Sequence, residues 1–288
     1  MTTVAAPALP VENAVEDALM RSIRIPPRPS LLVDLQRELA KADPSPRNMA
    51  RIIGNDVGMS GALLKLANSP FFGAARKAKS VEQAINFLGV DMCASTLTGL
   101  LARRAIDGQG ADLSAFWEIS MRRAQALMFT SRKLRIAPAD IAHTFGLFCD
   151  IGVPLLMNRF PDYVKTYAAA ANDAHNCFTS LEDARHQTNH AAIGCLLARN
   201  WGLSSDVSWA ILHHHDYTVL ADPSTDDAIR SLVALSLLAE KGIQRYHGNS
   251  TSLEWDKGGD LACQHLGLSQ EEAADLLDEL HEMFDTDH

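Results

Sequence analysis

The sequence predicts an all-α protein in which an N-terminal helical bundle packs on a second helical bundle. Three observations lead there. Helix-start signals recur along the chain, apolar residues repeat at three-to-four spacing, and alternating patterns bounded by turn residues are nearly absent.

Taken in order, residues 1–22 form an N-terminal extension, with Pro26, Pro27 and Pro29 closing a short helix after it. Leu31, Leu32, Leu35 and Leu39 then fall on one helical face, and Leu63, Leu64 and Ala67 repeat that pattern. Ser45-Pro46 offers a cap with proline at the first helical position. Asn68-Ser69-Pro70-Phe71-Phe72-Gly73 breaks a helix, and Ser80-Val81-Glu82-Gln83 opens the next with capping-box spacing. Asp107-Gly108-Gln109-Gly110 marks a joint, which separates an N-terminal bundle over 23–110 from a second bundle over 111–246. Thr179-Ser180-Leu181-Glu182 and Ser269-Gln270-Glu271-Glu272 also have capping-box spacing and predict helix starts. Breaks at Ala221–Ser224 and His247–Ser250 set off a C-terminal extension, 247–288, that reads as a helical pair.

Composition limits the function. Of 288 residues, 47% are hydrophobic and 21% charged, so the chain can bury a large core and is neither disordered nor a disulfide scaffold. Lys and Arg total 26 against 35 Asp and Glu; the net charge of −9 disfavours binding to phosphate backbones. Five cysteines without a CxxC pair predict a reducing compartment, and the start of the chain lacks the basic and apolar regions of an export signal. Nowhere do about 18 apolar residues run unbroken, so no membrane span is expected. A cytoplasmic setting without membrane contact is expected.

The stretch Ile25–Arg104, above all Leu63-Leu64-Lys65-Leu66-Ala67-Asn68-Ser69-Pro70-Phe71-Phe72-Gly73 and Ser80-Val81-Glu82-Gln83-Ala84-Ile85-Asn86-Phe87-Leu88-Gly89, resembles the front half of the HDOD domain. The likeness continues through Phe116-Trp117-Glu118, Phe145–Gly152, His190–Gly194, Trp201-Gly202-Leu203 and His213-His214-His215-Asp216, covering about residues 23 to 240. It implies a degenerate HD-like second bundle, related to the HD phosphohydrolases. Those enzymes hold divalent ions with a His, a His-Asp pair and a later Asp. Such ions turn bound water into a hydroxide that attacks phosphorus.

By this resemblance the ligands are largely replaced. Ile119 stands in place of the first His, Cys149 in place of the His of the pair, and Leu237 in place of the later Asp, leaving Asp150. No catalytic residue, metal or cofactor is therefore expected. The residual metal candidates are Asp150, His190, His214 and His215; Asp150 to His190 is 40 residues and His190 to His214 is 24. The reading that needs no ion is a hydrogen-bonded network tying three helices together, with Asp150 within reach of at least one imidazole.

Other features have plain readings. Arg122, Arg123, Arg132, Lys133 and Arg135 read as a solvated helix face, as do Arg76, Lys77 and Lys79. Phe71 and Phe72 are expected to seal the junction between bundles, and Cys149 to be an inert buried thiol.

The resemblance thus implies a non-catalytic bacterial signalling module, like the output domains of response regulators, that contacts signalling proteins of unidentified kind. A composite surface at Asn68, Ser69, Phe71, Phe72, Lys77 and Lys79 is the expected partner site. Two alternatives stay open. One is a metal-dependent phosphohydrolase or cyclic-dinucleotide phosphodiesterase using Asp150, His190, His214 and His215. The other is a sensor that binds a nucleotide in the same cleft without hydrolysing it.

Overall fold

A computed structural model describes residues 22–72, 77–107, 112–249 and 251–286. The short helix expected before Pro26 lies largely outside them, as do Gly73, Arg76, Ser250 and the glycines of the expected joint.

The described residues contain helices and no strand. The first bundle comprises α1 (Ser30–Leu39), α2 (Pro46–Gly54), α3 (Val57–Ala67), a 3-10 turn (Pro70–Phe72), α4 (Val81–Leu88) and α5 (Val90–Ile106). The second begins with α6 (Ser114–Leu134), α7 (Ala139–Phe148) and α8 (Gly152–Arg159), followed by α9 (Tyr163–Ala171) and α10 (Phe178–His186). It continues with α11 (His190–Asn200), α12 (Ser205–His213), a 3-10 turn (Tyr217–Ala221) and α13 (Asp227–Tyr246). The expected C-terminal pair is α14 (Leu253–Leu266) and α15 (Gln270–Thr286).

Most of the helix starts follow from local chemistry. Ser45 accepts from Asn48 N at 3.3 Å with Pro46 in the first turn, and Ser80 accepts from Gln83 N at 3.2 Å. Ser269 and Glu272 form the full reciprocal box, at 3.2 Å from Glu272 N to Ser269 Oγ and 2.8 Å from Ser269 N to Glu272 Oε2.

The box expected at Thr179–Glu182 does not form. α10 starts at Phe178 with no side-chain cap, so Thr179 already sits in its first turn. Glu182 is fully buried and turns inward to Tyr163 and His190. Tertiary partners outcompete the backbone amide that a capping glutamate would otherwise take.

One apolar core unites the two bundles, running from Leu32, Leu63 and Ile85 through Leu97 to Phe145, Trp201 and Leu235. Trp201 packs edge-on to Phe148 with ring centroids 6.1 Å apart. Its Nε1 donates to Pro26 O at 3.0 Å, while Gln36 Nε2 donates to Trp201 O at 3.0 Å. These bonds fasten the start of the chain to the second bundle. The stretch Ala139–Arg159 is apolar and long enough to cross a bilayer by composition, yet 78% of its most apolar window is buried inside the protein, where it forms the centre of the core.

Candidate functional site

The site begins at the turn between α7 and α8, where Cys149 and Asp150 are both buried. Gly152 opens α8 so close to α11 that a Cβ there would lie 2.1 Å from His190 O. A side chain at this position would push the two elements apart. Asn189 caps α11 by accepting from Ala192 N at 2.8 Å, which fixes His190 as the first residue of that helix. His214 and His215 follow the end of α12.

The structure brings the four residual candidates together. Asp150, His190, His214 and His215 each offer a ligand atom within 4.8 Å of the others. His214 Nε2 is 3.2 Å from both Asp150 Oδ1 and His190 Nε2, and His190 Nε2 is 3.5 Å from Asp150 Oδ1. Asp150 is thus within hydrogen-bonding reach of His214, as the sequence predicted.

Sequence reasoning missed what surrounds this cluster. Arg123, in the middle of α6, is 6% exposed; its Nη2 lies 2.8 Å from Asp150 Oδ2 and 3.0 Å from Glu240 Oε2 on α13. The expected solvated face is therefore wrong for Arg123. It is also wrong for Arg122, whose guanidinium sits 4.5 Å over the Tyr246 ring and pairs with Glu118. Arg132, Lys133 and Arg135 are exposed, as are Lys77 and Lys79. Ile119 is 38% exposed, away from the cluster, whereas Leu237 is buried and lines the adjoining cavity. The charged groups beside Asp150 are Arg123 and Glu240, one helical turn beyond Ile119 and Leu237. That i+4 and i+3 spacing was the signal available in the sequence.

Further carboxylates orient the imidazoles. Glu182 Oε2 accepts from His190 Nδ1 at 2.7 Å and Tyr163 donates its hydroxyl to the other oxygen. Glu254 Oε2 accepts from His215 Nδ1 at 2.9 Å and from the Tyr217 hydroxyl at 2.5 Å. His214 Nδ1 donates to Ile211 O at 2.6 Å.

Burial raises the Asp150 carboxyl, but the Arg123 guanidinium and the hydrogen bond to His214 prevail and hold it well below its ordinary range. Burial lowers His214, yet Cys149 and Asp150 bring it up to about 9. His215 is lowered to about 3, by burial and by His214.

The cavity beside the cluster measures about 240 Å³ and is lined by Arg123, Asp150, His214, Leu237 and Glu240, among others. The HD-type set does not fit an ion, since Ile119 faces away and Leu237 has no donor. The set Asp150, His190, His214 and His215 does present converging donors.

The expected partner site is altered by the structure. Asn68 is occupied internally: its Nδ2 donates to Ala78 O at 2.9 Å and its Oδ1 accepts from Ala78 N at 2.7 Å. Ser69 is half-buried. Phe71 and Phe72 are half-buried and pack edge-to-face on each other at 5.0 Å, in a turn beside α15. Neither belongs to the apolar core that unites the two bundles. Large apolar side chains left exposed on the first bundle are Phe87 at 48% and Val57 at 86%.

Residues 25–217 match the HDOD domain family. A curated relative from Treponema pallidum (strain Nichols), an uncharacterized protein, is 23% identical over 230 residues, 78% of this chain and 43% of the relative. Among solved structures, an HDOD domain protein of unknown function from Geobacter sulfurreducens superposes with a TM-score of 0.70 at 20% identity, covering 95% of each chain. A protein provisionally described as a phosphohydrolase, from Shewanella amazonensis SB2B, gives 0.72 at 19% identity, over 93% of this chain and 94% of that one. A protein provisionally described as a signal transduction protein, from Marinobacter aquaeolei VT8, gives 0.70 at 19% identity, over 93% of this chain and 59% of that one. The chain thus spans less than half of the Treponema relative. At these identities the structural likeness bears on the fold alone.

Proposed function

Because the chain belongs to the HDOD domain family, we propose that it is a non-catalytic module of bacterial signal transduction that works by contacting other proteins. The observation that carries this reading is Arg123. Its guanidinium, 2.8 Å from Asp150 and 3.0 Å from Glu240, is a fixed cation held where the aspartate of an HD enzyme would bridge two metal ions. A guanidinium neutralises the carboxylates but cannot lower the pKa of a bound water or present it to phosphorus. The Asp150 oxygen it occupies is no longer free to bridge.

The cavity argues in the same direction. At about 240 Å³ it is smaller than the roughly 300–1,000 Å³ usual for ligand sites, which weighs against a cyclic dinucleotide as substrate or as sensed ligand. For the contacting surface, the outer side of α4 with Phe87, together with Lys77, Lys79 and Val57, combines apolar and basic groups free of internal duties.

The test is capture of signalling partners by the folded protein and by Phe87→Ser, Val57→Ser and Lys77→Glu variants. Specific partners lost from the variants while their circular dichroism and unfolding midpoint are retained support the contact reading. Unchanged capture across all three would remove it.

A further inference from the structure

We propose that Asp150, His190, His214 and His215 form a site for a single divalent first-row metal ion of the zinc type. The inference goes beyond the proposed function and does not depend on it.

The argument starts from proton placement. Ile211 O can only accept, so the 2.6 Å bond from His214 requires the proton of that ring to sit on Nδ1. Glu182 Oε2 lies 2.7 Å from His190 Nδ1 and 3.4 Å from the His190 backbone amide, while the Tyr163 hydroxyl donates to the other oxygen, so the carboxylate accepts from Nδ1 and that nitrogen carries the ring proton. Glu254 is likewise met by Lys257 Nζ at 2.7 Å, the Tyr217 hydroxyl and His215 Nδ1. In all three rings Nδ1 is committed, so Nε2 is the nitrogen that could give its pair to a metal ion.

The Nε2 atoms of His190 and His214 do not point to solvent. His190 Nε2 and His214 Nε2 are 3.2 Å apart, and Asp150 Oδ1 is 3.2 Å and 3.5 Å from them. Two imidazole lone pairs and a carboxylate oxygen thus converge in the interior. A single proton can bridge only one of these contacts at a time; a divalent cation satisfies all of them together. The spacing fits such an ion: ligands about 2.1 Å from a tetrahedral zinc lie roughly 3.4 Å from one another. Imidazole-rich donor sets select zinc and its neighbours over magnesium or calcium. The carboxylate and carbonyl partners on every Nδ1 form the outer shell that orients such ligands.

Arg123 sets the number of ions at one. Asp150 Oδ2 is held by the guanidinium at 2.8 Å, so the carboxylate has only Oδ1 to offer and cannot bridge to a second metal. Four protein ligands fill a tetrahedral shell. The ion would then brace the start of α8, the start of α11 and the end of α12 against one another.

The test is cobalt titration of chelator-treated full chain, followed by visible spectroscopy and elemental analysis, then displacement by zinc. The expected result is one cobalt per chain, with the intense visible absorption of four-coordinate cobalt, lost in His190→Gln and His215→Gln. Glu254→Gln should weaken binding by about 10–100-fold, as expected for loss of an orienting partner. Should the histidine variants fail to fold, the wild-type stoichiometry and a rise in its Tm on adding zinc still decide. Absence of cobalt absorption in the folded wild type, or two ions per chain, overturns the proposal. An ion that binds without supporting hydrolysis leaves the proposed function standing, whereas one that also turns over phosphoesters removes only the non-catalytic reading.

Discussion

Arg123 Nη2 lies 2.8 Å from Asp150 Oδ2, and both side chains are buried. Such a pair is best judged by what happens when one partner is removed. Arg123→Leu strands the Asp150 and Glu240 carboxylates in the interior and is expected to destabilise the fold by about 3–5 kcal/mol, read as a lower urea midpoint. The triple variant Arg123→Leu, Asp150→Leu, Glu240→Leu should recover much of that loss. A single variant within 1 kcal/mol of the parent would mean that the guanidinium is not holding the two acids.

The same residue shows what the sequence could and could not reveal. Helical periodicity, the Ser45 and Ser269 caps and the breaks at Pro70 and Pro223 are local signals, and they delivered an all-helical chain with its C-terminal pair. The meeting of Asp150 with His214 was also legible, because their helices were placed by resemblance. Which turn of α6 and α13 faces the cluster was not legible, since a one-turn shift leaves the apolar pattern almost unchanged while replacing Ile119 by Arg123. Glu182 was misread for a related reason. Its spacing from Thr179 is a genuine capping pattern, but Tyr163 and His190, far off in sequence, supply stronger partners.

Two glycines should respond in opposite directions to alanine. At Gly152 a Cβ would sit 2.1 Å from His190 O, a backbone atom that cannot swing aside, so Gly152→Ala should destabilise strongly and displace α11. Gly61, exposed within α3, has nothing within 4 Å of its would-be Cβ, and Gly61→Ala should stabilise by about 0.5–1 kcal/mol. Thermal unfolding of the pair checks both signs; equal effects would contradict the close approach at Gly152.

Asn68 holds Ala78 through two hydrogen bonds. Asn68→Ala should cost about 1–3 kcal/mol by leaving the Ala78 amide and carbonyl without these partners. Denaturant unfolding measures it. A neutral result would return Asn68 to the contacting surface.

His143 gives the fold a pH dependence of its own. Burial, with Arg132 adding to it, lowers the ring from its ordinary 6.5 to about 4, and Ser95 Oγ lies 2.7 Å from its Nδ1. The unfolded chain takes up this proton as pH falls below 6.5, whereas the folded protein refuses it until about 4. The contribution to stability is therefore intact above pH 6.5 and is lost progressively down to about pH 4, with a ceiling of about 3 kcal/mol. His143→Asn, which keeps a polar partner for Ser95 but cannot titrate there, should flatten the unfolding free energy over that window relative to the parent. An unchanged pH profile would contradict the buried neutral imidazole.

The central claim, that this HDOD chain is catalytically silent because Arg123 occupies the bridging oxygen of Asp150, is tested most directly by hydrolysis. Purified full chain supplied with manganese, magnesium, iron or zinc is assayed against cyclic dinucleotides and a simple aryl phosphodiester. The account predicts no metal-dependent turnover above the protein-free rate; turnover that is abolished by Asp150→Ala and by His214→Ala would contradict it.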